Sequence, residues 1–263
     1  MRFIFALVLS LLTFSAGAAQ LAPLPLQECI QQAPFGFPGV NKKIVSKICR
    51  KAYFVVHDNK AKIPVYVSYV LTPEHATGCL KRKNAFRQDK SVMGSTPKDY
   101  AKSKYNIGHL ANSADMLWDV QVEEDSFILS NMAPQLPEFN RGIWKKLEDR
   151  TRGWAISRQH TLLIYTGPIY DAAQDPVIGV GRVTVPHAFF KIITDLDTSE
   201  SQVFIMKHEG SKQDLGAFIT SLAEVQRQTG IVFAMPVKVK YTKLWKVDAK
   251  SATKTKSSVC SLN

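Results

Sequence analysis

Two short segments of the chain contain the residue types that hydrolysis of a phosphodiester requires. In the first, residues 105–110, His109 directly follows Gly108, and the second, residues 130–140, ends at Asn140. A neutral imidazole can take a proton from water near pH 7, and a glycine lets backbone or ligand approach closely. A single histidine is more often structural, so the interpretation depends on its neighbours. Together the two segments predict a general base and one metal ligand.

Asn140 precedes a helical pattern that is apolar on one side. Ile143, Trp144 and Leu147 share a face with Asn140, and Glu148 lies one position off that stripe, close enough to reach the same side. Asparagine is also a favoured N-cap residue, which is the purely structural interpretation of this position. The functional interpretation is that the helix presents an amide oxygen and a carboxylate together. Magnesium suits such sparse ligation because it usually keeps several of its waters.

A basic run, residues 81–90, lies upstream of His109. A charge run is usually a solvated surface. Beside a phosphodiester site, however, Arg82 or Arg87 could bind phosphate oxygens in bidentate fashion and stabilise the charge that develops on them. The run belongs to a long polar loop, residues 77–104, and such a loop in a compact domain is more often functional than accidental.

The elements that must position these residues are a mixture of strands and helices. β-branched and aromatic runs predict five strands, at residues 53–57, 63–71, 161–167, 188–193 and 202–207, the first two forming a hairpin. Helices are predicted at residues 40–51 and 212–229, and residues 21–38 are predicted to be irregular apart from a short helix near Cys29. Because strands and helices do not alternate regularly, the predicted fold class is α+β, with a mainly antiparallel central sheet flanked by helices.

Residues 1–19 have the pattern of a secretory signal peptide, with charged Arg2 at the start, an apolar run and small residues at the end. The apolar run is shorter than the roughly 20 residues that a membrane span needs. No later segment is long and apolar enough either, so we expect no stable membrane insertion after cleavage. Residues 20–263 are then expected to form a single domain that is periplasmic or secreted.

The chain is strongly basic, with 34 Lys and Arg against 22 Asp and Glu and a formal charge of +12. Removing residues 1–19 takes away one basic and no acidic residue, which leaves +11. Such an excess favours polyanionic partners: nucleic acid, anionic lipid or cell-wall polymer. Charge alone does not choose among them.

Four cysteines, Cys29, Cys49, Cys79 and Cys260, all lie in the predicted mature chain. An even number in an exported protein indicates two disulfides, with three connectivities open. The pairing we expect is Cys29 with Cys49 and Cys79 with Cys260, which would join the C-terminal tail to the body. No Cys and His spacing indicates zinc.

Several segments, in order and spacing, resemble the DNA/RNA non-specific endonucleases, the ββα-metal nucleases that include endonuclease G. Residues 106–111 resemble the Asp-Arg-Gly-His segment of that family. The other matching segments are residues 86–92, 130–135, 139–144, 147–148, 165–170, 185–191 and 224–230. The resemblance runs from about residue 50 to about residue 235 of the chain.

The resemblance implies a site made of two strands and a helix. In it, His109 is the general base, and Asn140 is the only direct protein ligand of a Mg²⁺ ion, with Mn²⁺ as an alternative. Glu148 holds metal-bound water, and Arg82 or Arg87 contacts the scissile phosphate. The same resemblance implies substrate contacts by Lys104, Asn106 and Arg141 and supporting roles for Gly108, Asn131 and Gln135.

The chain departs from the family pattern at one position beside the proposed base. Where the family usually has Asp-Arg, this chain has Asn106 and Ile107. Isoleucine cannot bind a phosphate, so the contribution of that arginine is missing. Either a nearby cation such as Lys104 or Arg87 substitutes for it, or turnover is lower or lost.

The leading hypothesis is therefore an exported, Mg²⁺-dependent endonuclease that acts on DNA and RNA with little sequence preference. The alternative is an exported nucleic-acid-binding protein of the same fold, for instance in DNA uptake, with weak or no cleavage. A phosphodiesterase acting on another polymer has no sequence feature in its favour. The preference between DNA and RNA and the oligomeric state stay open at this point.

Overall fold

The computed structural model describes residues 22–42, 44–233, 235, 238–239 and 244–246. The predicted signal peptide, residues 1–19, and Cys260 lie outside the described residues. Within the described part of the chain, no helix has both the length and the apolar character to cross a membrane.

The strands are numbered in chain order. They are β1 Gly39–Val40, β2 Val45–Cys49, β3 Tyr53–Asp58, β4 Ile63–Leu71, β5 Asn106–His109, β6 Met132–Gln135, β7 Leu162–Ile169, β8 Val177–Ile178, β9 Val183–Thr184, β10 Ala188–Asp195, β11 Glu200–Lys207, β12 Ile231–Val232 and β13 Lys238–Val239. All five predicted strands are present, as β3, β4, β7, β10 and β11.

The helices are numbered in the same way. The α-helices are α1 Pro73–Ala76, α2 Pro97–Tyr100, α3 Val120–Ser126, α4 Lys145–Arg158 and α5 Leu222–Thr229. Short 3-10 turns are found at Leu26–Gln32, Ser113–Asp115, Leu129–Asn131 and Leu215–Phe218, and a π-helical turn at Phe139–Trp144. The first of these turns is the short helix predicted near Cys29.

A seven-stranded sheet in the order β13-β11-β10-β7-β4-β3-β2 is the centre of the fold. Every neighbouring pair is antiparallel except β11 and β13, which are parallel. The mixture of this sheet with separate helices confirms the predicted α+β class. Short antiparallel pairs, β1 with β12, β5 with β6 and β8 with β9, lie outside the sheet.

Both faces of the central sheet are covered, which explains why its strands are apolar almost throughout. On one face, side chains such as Tyr69 and Ile164 pack with Leu147 and Trp154 of α4. On the other face, apolar side chains pack with Val225 of α5 and with the N-terminal segment. A strand buried on both sides shows a continuous apolar run instead of alternation.

The unit that carries the candidate residues consists of β5, β6, the π-helical turn and α4. β5 and β6 pair antiparallel, with His109 opposite Met132. The π-helical turn follows β6 after three residues, and α4 follows it directly. Two strands and a helix are therefore adjacent in space although about 20 residues separate the strands in the chain.

The helix predicted at residues 40–51 is wrong. The segment forms β1 and β2, and β2 pairs with β3 from Val45 opposite Asp58 to Cys49 opposite Phe54. Its apolar residues fit a helical spacing, but the β-branched Val45 and Ile48 also fit a sheet edge, and pairing with β3 decides between the two.

The helix predicted at residues 212–229 is half as long as expected. Only α5 is α-helical, and it begins after Ser221, whose Oγ accepts a hydrogen bond from the backbone N–H of Glu224 at 3.0 Å. Serine at this position is an N-cap signal, so the helix begins at Leu222, ten residues later than the apolar periodicity indicated.

One of the two predicted disulfides is confirmed. Cys29 and Cys49 are bonded, which joins the N-terminal 3-10 turn to β2. None of the described cysteines is free. The expected partner of Cys79, Cys260, lies outside the described residues, so that pairing stays a prediction.

Candidate active site

The hairpin of β5 and β6 positions His109, and Gly108 allows the two strands to approach. A Cβ atom on Gly108 would lie 2.2 Å from Oε1 and 2.3 Å from Cδ of Gln135. Gln135 is fully buried, so its side chain has little space into which it could move. The glycine before His109 is therefore required by packing inside the hairpin, and its φ angle is not in the left-handed region.

The backbone just after His109 is held by the side chain of Asn131. The Oδ1 atom of Asn131 accepts from the N–H of Ala111 at 2.8 Å. Its Nδ2 atom donates to the carbonyl oxygens of Ala111 at 2.9 Å and Ser126 at 3.0 Å. A buried amide with three such bonds fixes the chain locally, which is the supporting position expected for Asn131.

His109 is buried in an aromatic environment and is 9 % exposed. Its ring centroid lies 5.4 Å from that of Phe86 and 5.0 Å from that of Phe127. Burial, and secondly the nearby guanidinium of Arg82, lowers the pKa of His109 to about 3. Its Nε2 atom is buried without a hydrogen-bond partner among the described residues. The imidazole is thus neutral at pH 7 and able to accept a proton.

Asn140 lies inside the π-helical turn and not at the N-cap of α4, so the structural interpretation of this asparagine as an N-cap is wrong. The turn is interrupted at Gly142, with φ −101° and ψ −113°, and α4 begins only at Lys145. A π-turn widens the helix, so the regular spacing predicted from Asn140 to Glu148 does not hold. Ile143 is nevertheless buried, as the apolar stripe predicted.

The amide of Asn140 is oriented by Asn106. Nδ2 of Asn140 donates to Oδ1 of Asn106 at 3.2 Å. This bond uses the amide nitrogen, and no described residue donates a hydrogen bond to Oδ1 of Asn140. An amide oxygen free of other partners and placed at a polar cavity is a fitting ligand for a hard cation such as Mg²⁺.

Glu148 is buried at the first turn of α4. Burial raises the pKa of this carboxyl above its ordinary value, while the charges of Lys191 and Arg152 oppose that shift. Lys191 is itself buried, with its Nζ atom 4.7 Å from the ring centroid of Trp144. Burial therefore favours the protonated form of this carboxyl, and the charges of Lys191 and Arg152 keep part of it ionised near pH 7.

These residues surround one cavity of about 470 Å³. The predicted residues that line it are Arg82, Asn106, His109, Asn140, Arg141 and Glu148, together with Ile107. Arg82 has no carboxylate within salt-bridge distance among the described residues; its Nε atom donates to Asn84 Oδ1 at 2.7 Å. A guanidinium without a paired carboxylate is suited to bind a phosphate.

Two predicted cations do not line this cavity. The NH2 atom of Arg87 lies 3.9 Å from Asp125 Oδ1, and Nζ of Lys104 lies 5.5 Å from the ring centroid of Tyr105. The lining of the cavity therefore does not support the alternative in which Lys104 or Arg87 replaces the missing arginine at Ile107. The cations that share the cavity with Ile107 are instead Arg82, Arg141, Lys145 and Arg152.

Arg152 is a lining residue that no sequence prediction singled out. Its NH1 atom pairs with Asp115 Oδ1 at 2.7 Å, and Asp115 Oδ2 accepts from the hydroxyl of Tyr69 at 2.7 Å. Arg152 follows Glu148 by four residues on α4, a spacing that places both on one helix face. That spacing is the signal that could have identified it.

The described part of the chain also contains a second cavity and a cluster of metal-ligand types, and neither is a better candidate site. A larger cavity, about 750 Å³, is lined by Lys42 and His187, but Lys42 pairs with Asp58 at 3.4 Å and His187 with Asp175 at 2.9 Å. The charge of Lys42 is already paired with a carboxylate and the ring of His187 is already bonded to one, so the larger volume does not make this cavity the better candidate.

The ligand atoms of His160, Asp195 and Asp197 lie within 4.8 Å of one another and could hold a metal ion. Oδ2 of Asp195 already pairs with Nε of Arg158 at 2.8 Å and with Nδ1 of His160 at 2.7 Å. A guanidinium there opposes a bound cation. The cluster therefore fits a structural role better than a metal centre.

The comparisons with known proteins point to a nuclease family. The profile of the family described as DNA/RNA non-specific endonuclease matches residues 32–240. Human mitochondrial endonuclease G is 29 % identical over 220 residues, which cover 76 % of this chain and 72 % of the human protein. A mitochondrial nuclease of Saccharomyces cerevisiae is 33 % identical over 176 residues, covering 60 % of this chain and 52 % of the yeast protein.

The fold has a counterpart among solved structures. A crystal structure of an EndoG/EndoGI complex superposes with a TM-score of 0.72 and 27 % sequence identity. The superposition covers 79 % of this chain and 91 % of the other.

Proposed function

This chain belongs to the DNA/RNA non-specific endonuclease family and is a nuclease, and we propose that it hydrolyses phosphodiester bonds of DNA and RNA in the cavity lined by His109, Asn140 and Glu148. The proposal depends on the observation that His109 and Asn140 lie at one cavity. A neutral, buried histidine and an asparagine oxygen that accepts no hydrogen bond from any described residue line the same cavity.

His109 is proposed as the general base. Its imidazole takes a proton from a water molecule, whose oxygen then attacks the phosphorus, and the bond from phosphorus to the 3′ oxygen breaks. The buried Nε2 atom has no hydrogen-bond partner in the part of the chain that the structure describes, which is consistent with a ring that acquires its partner only when substrate or water is bound. Because the pKa of His109 is low, the base is in its active form over the whole neutral range.

The family is metal-dependent, and Mg²⁺ is the ion proposed here, with Mn²⁺ as an alternative. Oδ1 of Asn140 would be its one direct protein ligand, and the carboxylate of Glu148 would hold water of its coordination shell. When bound, the ion neutralises charge on the scissile phosphate and on the leaving 3′ oxygen. Asn106 contributes by orienting the amide of Asn140.

The cations of the cavity are proposed to bind the phosphate of the substrate. Arg82 has no carboxylate partner among the described residues and can form bidentate bonds to phosphate oxygens. Arg141 lies at the same cavity as Ile107 and supplies positive charge there, whereas Lys145 at this cavity is paired with Asp149. Contacts with phosphates carry no base information, which fits little sequence preference and a strong dependence of affinity on salt.

Export is proposed from the sequence of residues 1–19, with a single mature domain over residues 20–263, in the periplasm or outside the cell. The disulfide between Cys29 and Cys49 supports an oxidising compartment. The alternative function, nucleic-acid binding without cleavage, would use the same basic surface but would not need the base and the metal ligand.

An assay with four proteins tests the proposal. Mature wild-type protein, His109→Ala, Asn140→Ala and the control His160→Ala are incubated with supercoiled plasmid and with RNA, each with Mg²⁺ or EDTA. We expect cleavage by the wild type and the control only with Mg²⁺, and losses of about a hundredfold or more in the two site variants. If the wild type retards plasmid in a gel but never nicks it, binding without cleavage is the function.

A further inference from the structure

His208 lies just beyond the end of β11 and forms hydrogen bonds with both of its ring nitrogens. Its Nδ1 atom is 2.7 Å from the carbonyl oxygen of Pro186. Its Nε2 atom is 2.6 Å from the backbone nitrogen of Leu136. The ring is therefore a bridge between the segment that precedes β10 and the residue that follows β6.

The partners determine the state of this imidazole. A carbonyl oxygen only accepts, so Nδ1 carries the proton, and a backbone N–H only donates, so Nε2 is the acceptor. Only the neutral Nδ1–H tautomer satisfies both bonds. Burial lowers the pKa of His208, which favours that neutral form; the charge of Glu138 opposes the shift and the charge of Lys104 reinforces it.

Leu136 connects His208 to the proposed metal ligand. Its carbonyl oxygen accepts from the backbone N–H of Asn140 at 2.8 Å and from that of Phe139 at 3.1 Å. The N–H of the same residue is the group that donates to His208. Thus both polar groups of Leu136 are engaged, one by the histidine and one by the start of the π-helical turn.

Packing holds the ring in this orientation. The ring centroid of His208 lies 5.3 Å from that of Phe139 and 5.2 Å from that of Phe189, both in edge-to-face geometry. A Cβ atom on Gly210 would lie 2.8 Å from Cγ of Glu138, so the segment after β11 lies directly against the turn. The histidine is therefore held by three elements and is not a surface group that happens to face a backbone nitrogen.

We propose that His208 is a positioning residue, which holds the peptide of Leu136 and through it the π-helical turn that presents Asn140 to the metal. The inference rests on the proposed function, since it takes Asn140 as the metal ligand. His208 does not line the cavity and touches neither substrate nor ion. Its role is to fix the position of the Asn140 side chain before the metal ion binds.

The test compares His208→Gln with His208→Met. The two replacements have nearly the same length, but only glutamine has an oxygen that can replace Nε2 of His208 as the acceptor of the hydrogen bond from Leu136 N–H. Binding of Mn²⁺ to the substrate-free protein is measured by calorimetry, with the Mg²⁺ dependence of plasmid cleavage as the second readout. His187→Gln is the matched control, because His187 is a neighbouring histidine whose side chain is 53 % exposed and pairs with Asp175.

We expect His208→Met to weaken Mn²⁺ binding by about tenfold or more, the range found when a group that orients a metal ligand is lost. His208→Gln should recover most of that loss, and the control should bind as the wild type does. The KM for DNA should stay unchanged, since the phosphate-binding cations are intact. A folded His208→Met variant with unchanged Mn²⁺ affinity would overturn the inference.

Two further measurements keep the outcome decisive. If His208→Met does not fold, His208→Asn takes its place, because its amide is one methylene shorter than that of glutamine and cannot reach the N–H of Leu136 as Nε2 does. It should bind Mn²⁺ more weakly than His208→Gln, and equal affinities of the two variants would refute the inference. Asn140→Ala is measured beside them: if it binds Mn²⁺ like the wild type, the ligand assignment of the proposed function fails, and not only the role of His208.

Discussion

Acid should destabilise the metal-free protein through His109. In the folded protein the pKa of this side chain is about 3, whereas in an unfolded chain it is about 6.5. Below pH 6.5 the unfolded state therefore binds a proton that the folded state does not bind. The free energy of unfolding should fall as the pH decreases from 6.5 towards 3, and it should be unaffected by this residue above pH 7.

The size of the effect follows from the two pKa values. Between pH 7.5 and pH 5.0, proton uptake by the unfolded state alone should lower the free energy of unfolding by about 2 kcal/mol. This is a large share of the roughly 5–15 kcal/mol that stabilises an ordinary domain. A variant such as His109→Gln, which cannot take up the proton, should lack this decrease.

The measurement is urea denaturation followed by circular dichroism, in EDTA, at both pH values for wild type and His109→Gln. Two other histidines, the buried His57 and the half-buried His75, also have lowered pKa values. They contribute equally to both proteins and cancel in the comparison. His187→Gln is the control, since its imidazole is mostly exposed. Its dependence on pH should match that of the wild type.

Two results would refute this reasoning. One is a His109→Gln variant that loses as much stability between pH 7.5 and pH 5.0 as the wild type does. The other is a direct titration of His109, followed by the NMR signal of its ring, that gives a pKa near 6.5 in the folded protein. Either result would mean that the ring is better solvated than its 9 % exposure indicates.

Three further predictions follow from the packing and the charges. Gly108→Ala should lower the free energy of unfolding, measured by urea denaturation, by about 1–3 kcal/mol. A double-mutant cycle with Gln135→Ala should show a coupling energy of about 1 kcal/mol, because the second substitution removes the Gln135 atoms with which the new Cβ collides. Replacing Cys29 and its disulfide partner by alanine should lower stability by about 3 kcal/mol, as expected for a 20-residue separation. Lys191→Met should move the acid limb of kcat/KM to higher pH, because the pKa of Glu148 rises further without that cation; an unmoved pH profile would contradict this.

The sequence predicted the sheet better than the helices. β4, for instance, is found at Ile63–Leu71, with the predicted bounds, because a strand buried on both faces is apolar along its whole length. The predicted helix at residues 40–51 was wrong because its apolar residues fit two periods, and only pairing with β3 distinguishes them. Local periodicity cannot contain that information.

The candidate site was predicted in its residue types and not in its geometry. His109, Asn140 and Glu148 do line one cavity, but the regular helix expected between the last two is interrupted by a π-turn. Arg82 and Arg87 were equivalent in the sequence, and only the structure puts the first at the cavity and the second beside Asp125. The difference depends on how the long loop packs, which no local pattern determines.

The sequence by itself determined the family, the α+β class and the residue types of the candidate site, whereas the structure was needed to choose the pairing of Cys29 with Cys49 among three connectivities. Only the tertiary structure decided the pKa values of the ionisable residues in that site. The low pKa of His109 arises from its burial beside Phe86 and Phe127, which come from opposite sides of it in the chain, and from the guanidinium of Arg82. Glu148 likewise interacts with Lys191 on β10. His208 shows the largest separation in sequence, because it acts on Asn140 only through the peptide of Leu136, which lies 72 residues away in the chain. These pKa shifts and this hydrogen bond depend on desolvation and on distances between groups, and both are fixed only when segments that are remote in the sequence pack together.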